Sequence, residues 1–167
     1  LILAYLRNEA SYKDLYSDVW TFADWAKANG LDGKDTGIDL VARTRDTNEI
    51  HAIQCKFHAP DHRIQKSDID SFFTASGKKP FVHRIIVSST DLWSENAEAA
   101  LHGQQVPVSK ITLYDLESSQ VDWSQFKPAS KGAPALKAKK SPYAHQRSAI
   151  EDVLTGFRKA DRGKLLM

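Results

Sequence analysis

Two short alternating segments joined by a polar turn constrain the fold of this chain more than any other sequence feature. Residues 37–43 read GIDLVAR and residues 51–57 read HAIQCKF, and both are dominated by apolar residues with polar ones interspersed. Residues 44–48 between them read TRDTN, which is polar and turn-forming. This arrangement predicts two adjacent strands joined as a β-hairpin.

The alternation of side chains along a strand predicts that polar groups of the hairpin share one face. On the first strand Asp39 is expected to point away from Ile38 and Leu40, because successive side chains project to opposite faces. On the second strand Gln54 and Lys56 are expected to point away from the apolar residues that flank them. Pairing of the two strands can therefore bring a carboxylate, an amide oxygen and an ammonium group together.

This grouping suits the metal-dependent hydrolysis of a phosphodiester. Mg²⁺ prefers oxygen ligands, which Asp39, the Gln54 side chain and the backbone carbonyl of Cys55 can supply. A bound cation polarises a phosphate and lowers the pKa of a bound water, while Lys56 can orient or deprotonate that water or neutralise developing charge. The alternative is that the three side chains form the ordinary solvated face of an amphipathic hairpin.

Residues 37–42 followed by residues 54–57 resemble the PD-(D/E)XK nuclease signature in its Mrr-like Asp…Gln-x-Lys form. Residues 25–39 and 61–72 are similar to the amino-terminal nuclease of single-polypeptide, translocating restriction-modification enzymes, the Type ISP class. The resemblance covers roughly residues 1–127. It implies an α/β, restriction-endonuclease-like mixed sheet flanked by helices with an αβββαβ core. It also implies Asp39, Gln54 and Lys56 as catalytic residues and Mg²⁺ as cofactor.

One feature of the family is expected to be missing from its usual position. Members carry an acidic residue in the first helix, but residues 1–6 read as the middle or end of an apolar helix. The family's helical acid is therefore expected before Leu1. Glu9 and Asp14 are candidate replacements, with solvated surface residues as the alternative interpretation.

Residues 58–66 form a polar segment in which His62, Arg63 and Lys66 are candidate contacts to DNA phosphates. The alternative is a solvated loop with scattered charge. Lys78 and Lys79 are expected only to complement the end of a helix. The other predicted elements are a strand at 19–22, a helical turn at 23–29, a helix from Ser67 to Ser76 ended by Gly77, a strand at 81–88, a helix at 93–101 and a strand at 110–114.

Cysteine content and hydropathy bear on the compartment. The only cysteine is Cys55, so no internal disulfide can form, and a cytoplasmic protein is expected. The first six residues are too short to span a bilayer, and no membrane association is predicted. His51, His58 and His62 lie near one another in the sequence, but without a second cysteine they are interpreted as loop and strand residues rather than zinc ligands.

The charge is unevenly distributed along the chain. Residues 1–127 contain 14 Lys and Arg against 18 Asp and Glu, whereas residues 128–167 contain 9 against 3. Because DNA affinity depends on neutralising phosphates, the acidic region is expected to bind DNA weakly by itself. Residues 128–141 are small, basic and contain Pro, which is typical of a linker.

Residues 142–150 resemble the adenine-reading motif at the start of superfamily 2 helicase-like ATPases, with Gln146 as the matching glutamine. Residues 142–167 are therefore interpreted as the start of such a domain, and residues 164–167 as a strand leading to a phosphate-binding loop. No Gly-x-x-x-x-Gly-Lys motif follows within the chain, so ATP is expected to serve the full-length parent enzyme and not this segment.

Together these features predict the Mg²⁺-dependent endonuclease domain of an ATP-dependent restriction-modification enzyme. Its predicted partners are double-stranded DNA and the helicase-like, methyltransferase and target-recognition domains downstream in the same polypeptide. One alternative is a methyl-directed or structure-specific Mrr-like nuclease. Another is a non-catalytic DNA-binding or coupling module that retains the nuclease fold.

Overall fold

The computed structural model describes residues 1–34, 37–127, 134–138 and 141–160. The chain divides into two compact units, Leu1–Leu136 and Lys137–Met167. The proposed linker at 128–141 lies largely outside the described residues, as does the strand predicted at 164–167.

The first unit contains six helices, five strands and two short 3₁₀ turns among its described residues. In chain order these are α1 (Ile2–Asn8), α2 (Ala10–Leu15), β1 (Tyr16–Thr21), α3 (Phe22–Ala28), β2 (Leu40–Thr44), β3 (Ile50–Lys56), a 3₁₀ turn (Lys66–Asp68), α4 (Asp70–Ser76), β4 (Phe81–Ser88), α5 (Glu95–Leu101), β5 (Val108–Ile111), α6 (Leu113–Ser118) and a second 3₁₀ turn (Trp123–Gln125).

The strands form one mixed sheet in the order β1-β2-β3-β4-β5. The first three strands pair antiparallel, and β2 and β3 form the predicted hairpin with Leu40 opposite Ile53. The last three pair parallel, so that β3 joins the two halves of the sheet. This confirms the predicted α/β architecture with helices flanking a mixed sheet.

Each face of the sheet is covered by its own hydrophobic core, so the hairpin has no solvated face. This argues against the alternative of an ordinary solvated face, because the side that carries Gln54 also buries Val41 and Ala52 beneath α3, α4 and α5. We call the core around Val41 and Ala52 the second core. Ile38 packs in it and not beside Leu40, since β2 begins only at Leu40 and strand alternation does not extend back to residue 38. The first core, on the opposite face, consists of Ile2, Tyr5, Leu6, Tyr16, Val19, Leu40, Ala42, Ile53, Ile85, Val87, Ile111 and Leu116.

Two helix boundaries differ from the sequence prediction for local reasons. The strand predicted at 110–114 ends at Ile111, because Thr112 caps α6 by accepting a hydrogen bond from the Asp115 amide. Ser67 does not cap α4; it lies inside a 3₁₀ turn that Asp68 closes by accepting a hydrogen bond from the Gln65 amide. The other predicted elements are present with small shifts in their bounds.

The second unit contains α7 (Ala144–Phe157), whose amino-terminal end is capped by Gln146. The Gln146 Oε1 atom accepts a hydrogen bond from the Tyr143 amide at 3.0 Å. Across the described residues of both units, no helix combines the length and apolarity needed to cross a membrane.

Candidate active site

Asp39 is held in the approach to β2 by backbone hydrogen bonds on both sides. Its amide donates to the Ile53 carbonyl at 2.9 Å, and its carbonyl accepts from the Phe22 amide at 2.9 Å. The first bond ties Asp39 to β3 and the second ties it to the start of α3. The position of the carboxylate is therefore set by the sheet and not by a free loop.

The Asp39 carboxylate lies against the neighbouring strand. Its Oδ2 atom accepts hydrogen bonds from Gln54 Nε2 at 2.5 Å and from the Cys55 amide at 2.6 Å. The Asp39 side chain reaches solvent, whereas Gln54 is only 6% exposed. The hairpin thus brings together two of the predicted site residues in direct contact.

The side-chain oxygen of Gln54 is the atom that this residue would offer to a cation. Gln54 Oε1 is buried and has no hydrogen-bond partner among the described residues. A buried carbonyl without a partner is unfavourable unless something else satisfies it. Beside the Asp39 carboxylate, this amide oxygen offers a hard, oxygen-only donor set, which fits Mg²⁺.

Lys56 completes the group at the end of β3, where its side chain is half-buried. Asp39, Gln54 and Lys56 all line one open cleft of about 710 Å³. The opposite wall of the cleft comes from α4 and the residues that follow it. Its remaining lining residues are Gly37, Ser71, Thr74, Ala75 and Lys78.

Cys55 contributes its backbone to the site and its side chain to the first core. Burial, with a smaller contribution from the nearby Asp39 carboxylate, raises the pKa of the Cys55 thiol to about 12. The thiol is therefore protonated at neutral pH and is not an activated nucleophile. The predicted role of its backbone carbonyl as a metal ligand stays a prediction.

The sequence matches the family Mrr_cat_2, described as a restriction endonuclease, over residues 7–133. The chain belongs to this restriction endonuclease family. Among curated proteins, none matches. The solved structure of an ATP-dependent Type ISP restriction-modification enzyme, LlaBIII bound to DNA, is 35% identical with a TM-score of 0.80. The match covers 99% of this chain and 10% of that one, so the chain spans about a tenth of that enzyme.

The predicted resemblance to the Type ISP nuclease is thereby confirmed, as is the restriction-endonuclease-like fold. A second solved structure, the MspJI restriction endonuclease in complex with a 27-mer oligonucleotide, is 19% identical with a TM-score of 0.37. That match covers 49% of this chain and 19% of the other.

The candidate DNA-binding residues of the endonuclease domain lie outside the cleft lining and have partners in the protein. Arg63 Nη1 donates to the Trp93 carbonyl at 3.0 Å, and Lys66 Nζ pairs with Asp70 Oδ1 at 2.7 Å. His62 stacks on His58. Contacts from these residues to DNA stay a prediction.

Neither candidate replacement for the family's helical acid reaches the cleft. Glu9 Oε2 accepts a hydrogen bond from the Gln120 amide at 2.9 Å, and Asp14 is exposed at the end of α2. Sequence reasoning also missed the wall formed by α4. Ser71, Thr74 and Lys78 recur every three or four residues, a spacing that places them along one side of a helix and its carboxyl end.

Gly37 sets the distance between the two walls of the cleft. It has a φ of 86°, a backbone conformation that side chains with a Cβ rarely adopt. A Cβ atom added at this position would lie 2.7 Å from Ser71 Oγ and 3.1 Å from the Phe72 amide nitrogen. Glycine here allows the amino end of α4 to approach the segment that carries Asp39.

We predict that Gly37→Ala destabilises the domain more than Gly103→Ala does. Gly103 also has a positive φ, 66°, but a Cβ there would meet no described atom within 4 Å. Both variants carry the backbone strain, and only Gly37→Ala adds the clash with α4, which we expect to cost roughly 1–3 kcal/mol more. Urea unfolding of the two variants and the parent measures this difference. Equal destabilisation would show that α4 yields without cost.

Proposed function

We propose that this domain is a Mg²⁺-dependent PD-(D/E)XK endonuclease that hydrolyses phosphodiester bonds of double-stranded DNA. The observation that carries the proposal is the buried, unpartnered Gln54 Oε1 beside the Asp39 carboxylate, in a cleft that also contains Lys56. The Gln54 amide nitrogen is satisfied by Asp39, but its oxygen has no partner among the described residues. Both oxygens are suited to one hard cation.

In this mechanism Asp39 and Gln54 would hold the cation, with the Cys55 backbone carbonyl as the third protein ligand. When bound, Mg²⁺ would supply Lewis-acid chemistry, polarising the scissile phosphate and activating water for attack. The backbone bonds from Phe22 and to Ile53 keep the Asp39 carboxylate in place. The hydrogen bond that the Cys55 amide donates keeps Asp39 Oδ2 directed toward β3.

Lys56 acts on the nucleophile and on the phosphate. Its half-buried ammonium group lies in the same cleft as Asp39, where it orients the attacking water or neutralises charge that develops on the phosphate. The partial burial strengthens this interaction, because electrostatic attraction is less screened away from bulk water.

The α4 wall supplies the contacts that position the DNA backbone. Lys78 offers a positive charge, and Ser71 and Thr74 offer hydroxyl donors, on the side of the cleft opposite the Asp39 segment. Groups of these types bind phosphate oxygens without reading sequence. The cleft therefore binds the backbone of the duplex, whatever the bases.

The domain works within a larger ATP-driven restriction-modification enzyme. This rests on the similarity to LlaBIII, of which the chain spans about a tenth. The helicase-like, methyltransferase and target-recognition domains of the same polypeptide would supply translocation and sequence recognition. In this arrangement Gln146 serves adenine recognition in the complete ATPase, and the enzyme acts in the cytoplasm. Delivery by a motor compensates for the acidic charge of residues 1–127.

We predict that Asp39→Asn and Lys56→Ala each reduce DNA cleavage by the full-length enzyme by about 100-fold or more, because each removes a group that acts on the reacting phosphate. ATPase activity and cooperative unfolding should be unchanged. Plasmid nicking at fixed Mg²⁺, with ATP turnover measured in parallel, tests this. Parental nicking by either variant would exclude the assigned site, and the same assay separates a nuclease from a non-catalytic coupling module.

We also predict that Mg²⁺ changes the melting temperature of one Gln54 variant and not of another. Gln54→Glu places a second carboxylate where an amide now donates to Asp39 at 2.5 Å, so the variant should be less stable than the parent without metal. Mg²⁺ should raise its melting temperature by roughly 2–8 °C, through neutralisation of that repulsion. Gln54→Ala should show no Mg²⁺-dependent rise. The same Mg²⁺ response in Gln54→Ala as in the parent would show that Gln54 is not a ligand.

A third prediction compares two adjacent lysines of equal charge. Lys78 lines the cleft and Lys79 does not, although both are exposed. Lys78→Ala should weaken duplex binding and reduce the slope of log affinity against log salt by about 1, whereas Lys79→Ala should change both less. Fluorescence anisotropy over a salt series measures this. Identical losses from the two variants would assign only a general charge effect to this region.

A further inference from the structure

The loop that follows β3 brings two histidines and an aspartate together. The His58 and His62 rings stack, with their centroids 3.9 Å apart and their planes at 22°. His62 Nε2 lies 3.6 Å from Asp68 Oδ2. One donor atom from each of the three side chains lies within 4.8 Å of the other two. None of the three residues lines the Asp39 cleft.

One ring nitrogen of each histidine lacks the hydrogen-bond partner that a buried nitrogen normally has. His58 Nε2 and His62 Nε2 are both screened from solvent and have no hydrogen-bond partner among the described residues. The 3.6 Å separation between His62 and Asp68 is too long for a hydrogen bond. Each of the two stacked rings thus carries an unsatisfied nitrogen, which is unfavourable, and a ligand bound by both rings would satisfy them.

The backbone that carries the two histidines is fixed by the two residues that follow β4. His58 donates its amide to Ser89 Oγ at 2.8 Å, and the same hydroxyl donates to the His58 carbonyl at 2.9 Å. Thr90 Oγ1 donates to the His62 carbonyl at 3.0 Å. The site is therefore presented by a loop that is tied down at both histidines.

Asp68 is fixed separately. Its carboxylate closes the 3₁₀ turn before α4 by accepting a hydrogen bond from the Gln65 amide at 2.8 Å. This hydrogen bond fixes the position of the Asp68 side chain beside His62.

We propose that His58, His62 and Asp68 form a second metal site, selective for Zn²⁺ over Mg²⁺. Two imidazole nitrogens and one carboxylate oxygen are donors that Zn²⁺ binds well, while Mg²⁺ prefers an all-oxygen set. Three protein ligands leave a fourth tetrahedral position for water. The His-x₃-His spacing in residues 58–62 supplies both nitrogens from one short loop.

Metal binding requires the two rings to turn. Zn–N bonds of about 2.0–2.1 Å place tetrahedral ligand atoms roughly 3.4 Å apart, so the present separations of up to 4.8 Å must close slightly. The nearly parallel rings must also splay, so that both nitrogen lone pairs point at one ion. Both side chains are partly exposed, which leaves them room to do so.

The location of this site gives it a structural role in the nuclease. His58 and His62 follow Lys56 at the end of β3, and Asp68 ends the 3₁₀ turn one residue before α4 begins. One ion bound to all three would connect the strand that carries Gln54 and Lys56 to the helix that forms the other cleft wall. Zinc would stabilise the spacing of the cleft without touching the substrate.

The test is Zn²⁺ titration of the metal-stripped 167-residue chain by calorimetry, in excess Mg²⁺ and with Asp39→Asn present to remove the cleft site. We expect one equivalent of Zn²⁺ to bind. His62→Gln and Asp68→Asn should each weaken binding by about tenfold or more. His102→Gln, which changes an exposed histidine outside the cluster, should leave binding unchanged. Co²⁺ should give the intense visible absorption of a tetrahedral site, and His62→Gln should abolish it.

The outcomes separate this site from the proposed nuclease function, because binding is measured without the Asp39 carboxylate and without DNA. Failure of the chain to bind Zn²⁺ under these conditions overturns the proposal. Equal Zn²⁺ affinity in His62→Gln, Asp68→Asn and His102→Gln overturns it as well. A Zn²⁺-dependent rise in melting temperature that persists in Asp68→Asn but is lost in His58→Gln would exclude Asp68 as a ligand, and with it the three-residue site.

Discussion

The pairing of the segment before β2 with β3 is the interaction on which the rest of this site depends. The Asp39 amide donates to Ile53, and its carboxylate in turn accepts from the next two residues of β3. These bonds lie between two hydrophobic cores, one on each face of the sheet. Because the backbone on both sides is packed, the carboxylate and the Gln54 amide have little freedom to separate. Hydrogen bonds and packing together provide the fixed geometry that the proposed metal-dependent reaction would need.

The same packing explains why the polar residues of the site are costly in the absence of a ligand. Gln54 is on the sheet face that buries Val41 and Ala52, so its unpartnered oxygen cannot turn to bulk water. In the proposed function this cost is offset in the working enzyme, where a cation would satisfy the oxygens and a phosphate would pair with Lys56. The second cluster consists of His58, His62 and Asp68. Its two histidines likewise hold ring nitrogens without hydrogen-bond partners among the described residues, on a fixed backbone. One candidate metal site therefore lies in the cleft and the other within the connection from β3 to α4.

The sequence specified a large part of this arrangement through local chemistry. The alternation in residues 37–43 and 51–57 was enough to predict the hairpin, and the Asp…Gln-x-Lys spacing was enough to predict which residues converge. These local patterns were not enough to predict that both faces of the sheet are buried. Alternation distinguishes the two faces of a strand, but it does not show what covers each face. The helix α6 was missed although Thr112 and Asp115 form a capping pattern, since the apolar residues before it favoured a longer strand.

By itself, the sequence determined the candidate site residues on β3 and the residue before β2 that pairs with them, because hairpin pairing is set by neighbours along the chain. Only the tertiary structure decided which groups meet them across space. The α4 wall with Lys78, the close approach permitted by Gly37 and the meeting of His62 with Asp68 all depend on how α4 packs against the sheet. That packing is fixed by Phe72 and Ile69 in the second core, which are fully buried. Contacts of this kind join distant segments through side-chain shape, which no local pattern encodes.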